Sequence, residues 1–67
     1  MSVNYKNLMK LLIDKEISKT ALRKQIGIGT ATLAKLSSNE YVSLDVIEKI
    51  CKFLKVQPGE IMEIEFH

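Results

Sequence analysis

Thr30, Ala31, Thr32, Ala34, Lys35 and Ser38 are the residues of this chain most able to do recognition chemistry. Set on one helix, they make a small polar face with no acid and no large apolar residue. Such a face enters the major groove of B-DNA without obstruction. Hydroxyls there bond base edges or phosphates, alanine methyls touch thymine methyls, and a lysine reaches guanine acceptors. The plainer reading is an ordinary solvent-exposed helix face, but such a face without a glutamate is unusual.

Other chemistries find little footing. His67 is terminal and no second histidine exists, so no histidine-based metal site or catalytic dyad can form. Cys51 falls on an apolar helical stripe and reads as a packed core thiol. Glu63 and Glu65 alternate along a strand-like tail and face solvent rather than forming an acid/base pair. Asp14 and Glu16 read as solvation of a helix end. Gly27-Ile28-Gly29 is no phosphate loop, since no strand precedes it and no Gly-Lys-Ser follows. No catalytic residue, metal site, cofactor or small-molecule ligand is expected.

The recognition face needs a scaffold, and hydrophobic spacing supplies one. Tyr5, Leu8 and Leu12, widened by Leu11, predict a first helix over about residues 5–15 with Asn4 as its N-cap. Ser18 caps a second helix over 19–26, with Leu22 and Ile26 on its buried face. Gly27 ends it in a left-handed turn. Ile28 follows as an apolar plug and Gly29 as a weaker cap. A third helix covers about 30–37, with Leu33 and Leu36 inward. This is helix-turn-helix spacing over about residues 19–37. The turn needs a residue that tolerates positive φ, the plug sets the interhelical angle, and the inward leucines leave the opposite face free.

Residues 38–42 form a polar loop. Ser43 caps a fourth helix over 44–55, with Asp45 near its positive end and Leu44, Ile47, Ile50, Cys51 and Leu54 as its apolar stripe. Pro58 starts a short fifth helix that ends near Met62. The tail then alternates, Met62, Ile64 and Phe66 against Glu63 and Glu65, which is strand periodicity. It could pair with residues 2–5 or with a symmetry mate.

Composition bounds the rest. Sixty-seven residues, 46% hydrophobic and 27% charged, make one soluble globular domain, residues 1–67. The longest apolar run is residues 11–13, too short for a transmembrane span or a signal-peptide core. A single cysteine fits a reducing cytoplasm. The net charge of +2 hides a polarity. Residues 1–36 carry seven cations against two acids, or +5, and residues 37–67 carry three against six, or −3. One side is therefore able to attract a polyanion.

Residues 18–40, SKTALRKQIGIGTATLAKLSSNE, followed by YVSLDVIEKICKFLKVQPGEIMEI, resemble the Cro/lambda-repressor helix-turn-helix family, also called the Xre family. The resemblance spans about residues 5–64. It rests on helix lengths, the turn glycine, the Ser43-Leu44 start and the register of Leu54, Val56, Pro58 and Ile61. It implies an all-α, five-helix lambda-repressor-like domain that binds operator DNA, usually as a two-fold dimer. Base contacts then map onto Thr30, Ala31 and Lys35, with Thr32 and Ser38 nearby. The chain departs from the family at Lys19, commonly Gln, at Arg23, commonly Ala, at Gly29, usually Ser, and at Ser37, often acidic. Arg23 must snorkel outward or alter the packing angle.

Phosphate contacts are expected from the start of the second helix and the loop after the third: Lys19, Thr20, Lys24, Asn39 and Tyr41. For two of these a structural reading weighs more. Asn39 reads first as a left-handed loop residue, and Tyr41 as a ring over the core edge. The expectation is thus a cytoplasmic, non-enzymatic, sequence-specific DNA-binding regulator, a repressor by analogy, partnered by double-stranded operator DNA. It would dimerise through Met62, Ile64 and Phe66. The alternative is a protein-interaction module that keeps the fold without specific DNA binding.

Overall fold

The computed structural model describes residues 2–66, so His67 lies outside the described residues. Four α-helices form where the apolar spacing is three and four: α1 (Lys6–Asp14), α2 (Lys19–Ile26), α3 (Thr30–Ser37) and α4 (Leu44–Leu54). Two strands, β1 (Ser2–Asn4) and β2 (Glu63–Glu65), pair antiparallel with Ser2 opposite Glu65, Val3 opposite Ile64 and Asn4 opposite Glu63. The tail therefore pairs with the N-terminal segment of its own chain.

The expected fifth helix is a single 3-10 turn, Pro58–Glu60. Pro58 starts it, and the Gln57 N–H donates to Glu60 Oε2 at 2.6 Å. Ile61 then turns into the core, and after Met62 the chain runs extended as β2. Strand pairing shifts the start of α1. Asn4 belongs to β1 and is buried, with its amide donating to Glu65. Its Oδ1 takes the Lys6 N–H at 3.3 Å, and Tyr5, not Asn4, occupies the capping position.

All four helices end alike. Glu16, Gly27, Asn39 and Lys55 are left-handed, with φ of 57°, 74°, 57° and 58°. The next residue in each case returns its N–H to a carbonyl five positions back. Ile17 donates to Leu12 at 2.9 Å, Ile28 to Arg23 at 3.2 Å, Glu40 to Lys35 at 2.9 Å and Val56 to Cys51 at 3.1 Å. These bonds satisfy carbonyls that a helix end otherwise leaves open. In three of the four, the returning residue is apolar and packs on the core: Ile17, Ile28 and Val56. The starts of α2 and α4 follow the expected capping, with Ser18 Oγ accepting from Ala21 N–H at 3.0 Å and Ser43 Oγ from Val46 N–H at 3.3 Å.

The core joins β1, all four helices and the segment after the 3-10 turn: Val3, Tyr5, Leu8, Leu12, Leu22, Ile28, Leu36, Ile47, Ile50, Leu54 and Ile61. Each fully buried aliphatic side chain contributes about 1.5–3 kcal/mol of transfer free energy. Leu44, assigned above to the buried stripe, is 77% exposed. It is the first residue of α4 and lines an open groove that runs along the helix to Pro58. Ile26 and Leu33, expected inward, are half-buried, with Ile26 packed against the core. Cys51 is half-buried on the stripe as expected, and burial, helped by Glu60, pushes its thiol up from the ordinary 9.0.

Candidate nucleic-acid interface

The turn between α2 and α3 is built as its residue types require. Gly27 takes the positive φ, Ile28 is buried at 6% exposure, and Gly29 is extended and offers no side-chain cap to α3. Leu22 and Leu36, each 1% exposed, lie in the core from either side of this turn. What remains outward on α3 is the acid-free face. Thr30, Ala31, Ala34, Lys35, Ser37 and Ser38 are exposed, and Thr32 is half-buried toward the protein. Lys19 and Thr20 in the first turn of α2, and Lys24 farther along, are exposed as well.

Arg23 accommodates its departure from the family by reaching outward over the turn. Its side chain is half-buried, and Nη1 approaches the Ile28 carbonyl at 3.5 Å, a long hydrogen bond. The guanidinium therefore adds a cation beside the turn without entering the core.

The charged pairs lie elsewhere. Lys6 pairs with Glu63 at 3.9 Å, Lys49 with Asp45 at 3.4 Å and Lys52 with Glu48 at 3.5 Å, all at the surface. Among the described residues, Lys19, Lys24 and Lys35 take part in no ion pair. Cations on α2 and α3 are thus available to phosphates without first leaving an acidic partner.

The loop after α3 assigns its residues differently from the expectation. Asn39 is left-handed as foreseen, and in addition its Oδ1 accepts the Tyr5 N–H at 3.0 Å. Tyr41 does not cover the core edge; it is 68% exposed. Tyr5 holds the buried aromatic place, at 2% exposure, with its Oη donating to the Glu40 carbonyl at 2.7 Å. Burial pushes its phenol above the ordinary 10.0 and the Tyr41 phenol adds to this, although the Val42 backbone works the other way. Sequence reasoning placed Tyr5 on a helical stripe and missed its grip on this loop. The one available hint was the Asn that ends α3 in a left-handed turn.

Among the described residues no group of three histidines, cysteines or acids is placed to hold a metal ion. An open groove of about 520 Å³ runs along α4 to Pro58, lined in part by Leu44, Ile47, Cys51 and Val56. No helix of the described residues is long and apolar enough to cross a membrane.

A buried plug behind a left-handed glycine, two short helices and an acid-free outer face define a helix-turn-helix domain. Residues 7–67 match the Cro/C1-type helix-turn-helix DNA-binding domain, and the chain belongs to that family. It is similar to an uncharacterised HTH-type transcriptional regulator of Bacillus subtilis strain 168, YozG, at 36% identity over 59 residues, covering 85% of this chain and 70% of the relative. It also resembles the crystal structure of the transcriptional regulator VanUg, with a TM-score of 0.90 and 45% identity over 92% of this chain and 83% of that one. The protein is accordingly a DNA-binding regulator of the Xre-like class and not an enzyme.

Proposed function

We propose that the protein acts as a repressor in the cytoplasm, seating α3 in the major groove of a specific operator as a homodimer. One observation carries this reading: the exposed face of α3 has no acid, and the nearby lysines of α2 and α3 are outside ion pairs. Thr30, Ala31, Lys35 and Ser38 read base edges, with Thr32 at the inner margin. Lys19, Thr20 and Lys24 hold phosphates at the start of α2, and the loop of Asn39 and Tyr41 meets the backbone beyond α3. Each phosphate neutralised contributes roughly −0.9 to the log–log salt slope. Repression needs only that the site be occupied.

Dimerisation through the tail is supported by two outward apolar residues, Ile64 at 45% and Phe66 at 78% exposure, with half-buried Met62 behind them. A two-fold dimer binds half-sites about 34 Å apart, one DNA turn. Selection of bound sequences from a random DNA pool tests the whole reading, and the expected product is a palindrome. Lys35→Glu should then abolish specific binding. Unchanged affinity in that variant would refute groove insertion, and monomeric sedimentation both free and on DNA would refute the dimer.

A further inference from the structure

We propose that Tyr5 and Asn39 form a latch that positions the loop after α3 for DNA, so that Tyr5 is a positioning residue for binding. This rests on the reading that the loop meets the DNA backbone.

Tyr5 grips two consecutive loop residues. Its backbone N–H donates to Asn39 Oδ1 at 3.0 Å and its Oη donates to the Glu40 carbonyl at 2.7 Å. These partners lie 34 and 35 positions along the chain, so nothing local would hold them together. The Glu40 N–H is occupied by the Lys35 carbonyl at 2.9 Å. Residues 39 and 40 are therefore tied down on both sides, and Tyr41, the next residue, is thrown outward at 68% exposure.

This loop closure is also the exception among the four helix ends. At the other three, an apolar residue anchors the returning chain in the core. Here the returning residue is Glu40, which is exposed and cannot serve as an anchor. The Tyr5 phenol anchors Glu40 from the N-terminal segment, before Val42 returns the chain to the core. Asn39 thereby acts from inside the loop, its oxygen committed to Tyr5, and the outward Tyr41 is the group presented to a phosphate. The grip extends to the terminal sheet, because the neighbouring Asn4 holds Glu65.

Two variants release the latch, and the one at buried Tyr5 does so without removing a group that could touch DNA. Tyr5→Phe keeps the core ring and removes only the Oη bond. Asn39→Gly keeps the left-handed backbone and removes the acceptor. In the free protein, amide hydrogen exchange at Glu40, whose N–H is held by the Lys35 carbonyl, should rise by about tenfold in both variants, with α2 and α4 unchanged. Affinity for the operator selected from random DNA should fall about three- to tenfold in both. The salt slope should stay at the parent value, since no charge is lost, whereas Lys24→Ala lowers it by about 0.9. Tyr41→Ala should weaken binding similarly, and adding Tyr5→Phe to it should weaken binding no further. Unchanged loop exchange overturns the latch. Faster exchange with unchanged affinity, or additive losses in the double variant, overturns its part in DNA binding. A parent protein that selects no DNA overturns the proposed function instead, while the exchange result still decides whether the latch exists.

Discussion

Arg23 brackets the turn of the helix-turn-helix from both of its ends. Its carbonyl accepts the N–H groups of Gly27 at 2.9 Å and Ile28 at 3.2 Å, while its guanidinium reaches the Ile28 carbonyl at 3.5 Å. The backbone part survives any side chain. The side-chain part is one long, half-exposed hydrogen bond. Arg23→Ala should therefore change stability by no more than about 0.5 kcal/mol in urea unfolding, since alanine also favours helix. A loss above about 2 kcal/mol would mean that the guanidinium holds the turn.

Gly27 and Gly29 predict opposite outcomes. No atom lies within 4 Å of a Cβ built at either. At Gly27 the positive φ remains the obstacle, so Gly27→Ala should destabilise by about 1–2 kcal/mol. At Gly29 the backbone is extended and α3 lacks a side-chain cap, so Gly29→Ser should stabilise by a few tenths of a kcal/mol. Thermal unfolding of the two variants checks both signs.

Leu36 stands at 1% exposure on the inner side of α3, so it tests how far the recognition helix depends on the core. Leu36→Ala should cost about 2–5 kcal/mol. That is a large share of the stability of so small a domain. Circular dichroism should show loss of cooperative unfolding or a strongly lowered midpoint.

Alkaline pH should weaken the fold through two groups. Tyr5 and Cys51 both hold their protons more tightly when folded than their ordinary values of 10.0 and 9.0 imply. Stability from such a group is full below the unfolded value and falls as pH rises toward the folded one. The unfolding midpoint should begin to drop above pH 9, and further above pH 10. Tyr5→Phe should start less stable by about 1 kcal/mol for its lost hydrogen bond. Its gap to the parent should narrow above pH 10. A gap that widens there would contradict the sign.

Phe66 tests assembly without touching the recognition face. It is 78% exposed, so Phe66→Ser should change the monomer's stability by no more than an ordinary surface substitution does, about 0.5 kcal/mol. Sedimentation should show a shift from dimer to monomer. Unchanged association would place the interface elsewhere, with exposed Leu44 the next residue to vary.

The bounds of α2 and α3 were legible to the residue because Ser18, Gly27 and Gly29 punctuate them. The same left-handed ending at Glu16 and Lys55 was not, since neither type advertises it and only packing of Ile17 and Val56 compels it. Period-two alternation revealed β2, but the expected fifth helix is only a turn. At the candidate interface, composition identified the outward face of α3. Spacing placed Tyr5 on an apolar stripe but missed that its hydroxyl reaches the loop, because that contact spans 35 positions. Leu44 and Leu33 matched the helical period, yet periodicity says which side of a helix is apolar and not whether a neighbour is long enough to cover it.

The pairing of β1 with β2 sets an order of assembly. Each helix end closes over five residues, whereas the strands join positions 2 and 65. Bringing such distant segments together carries the largest loop-closure entropy in the chain, offset by three residue pairs and the burial of Val3. β2, exposed along its length, should therefore zip up last and open first, while Val3 and Tyr5 keep β1 with the helices.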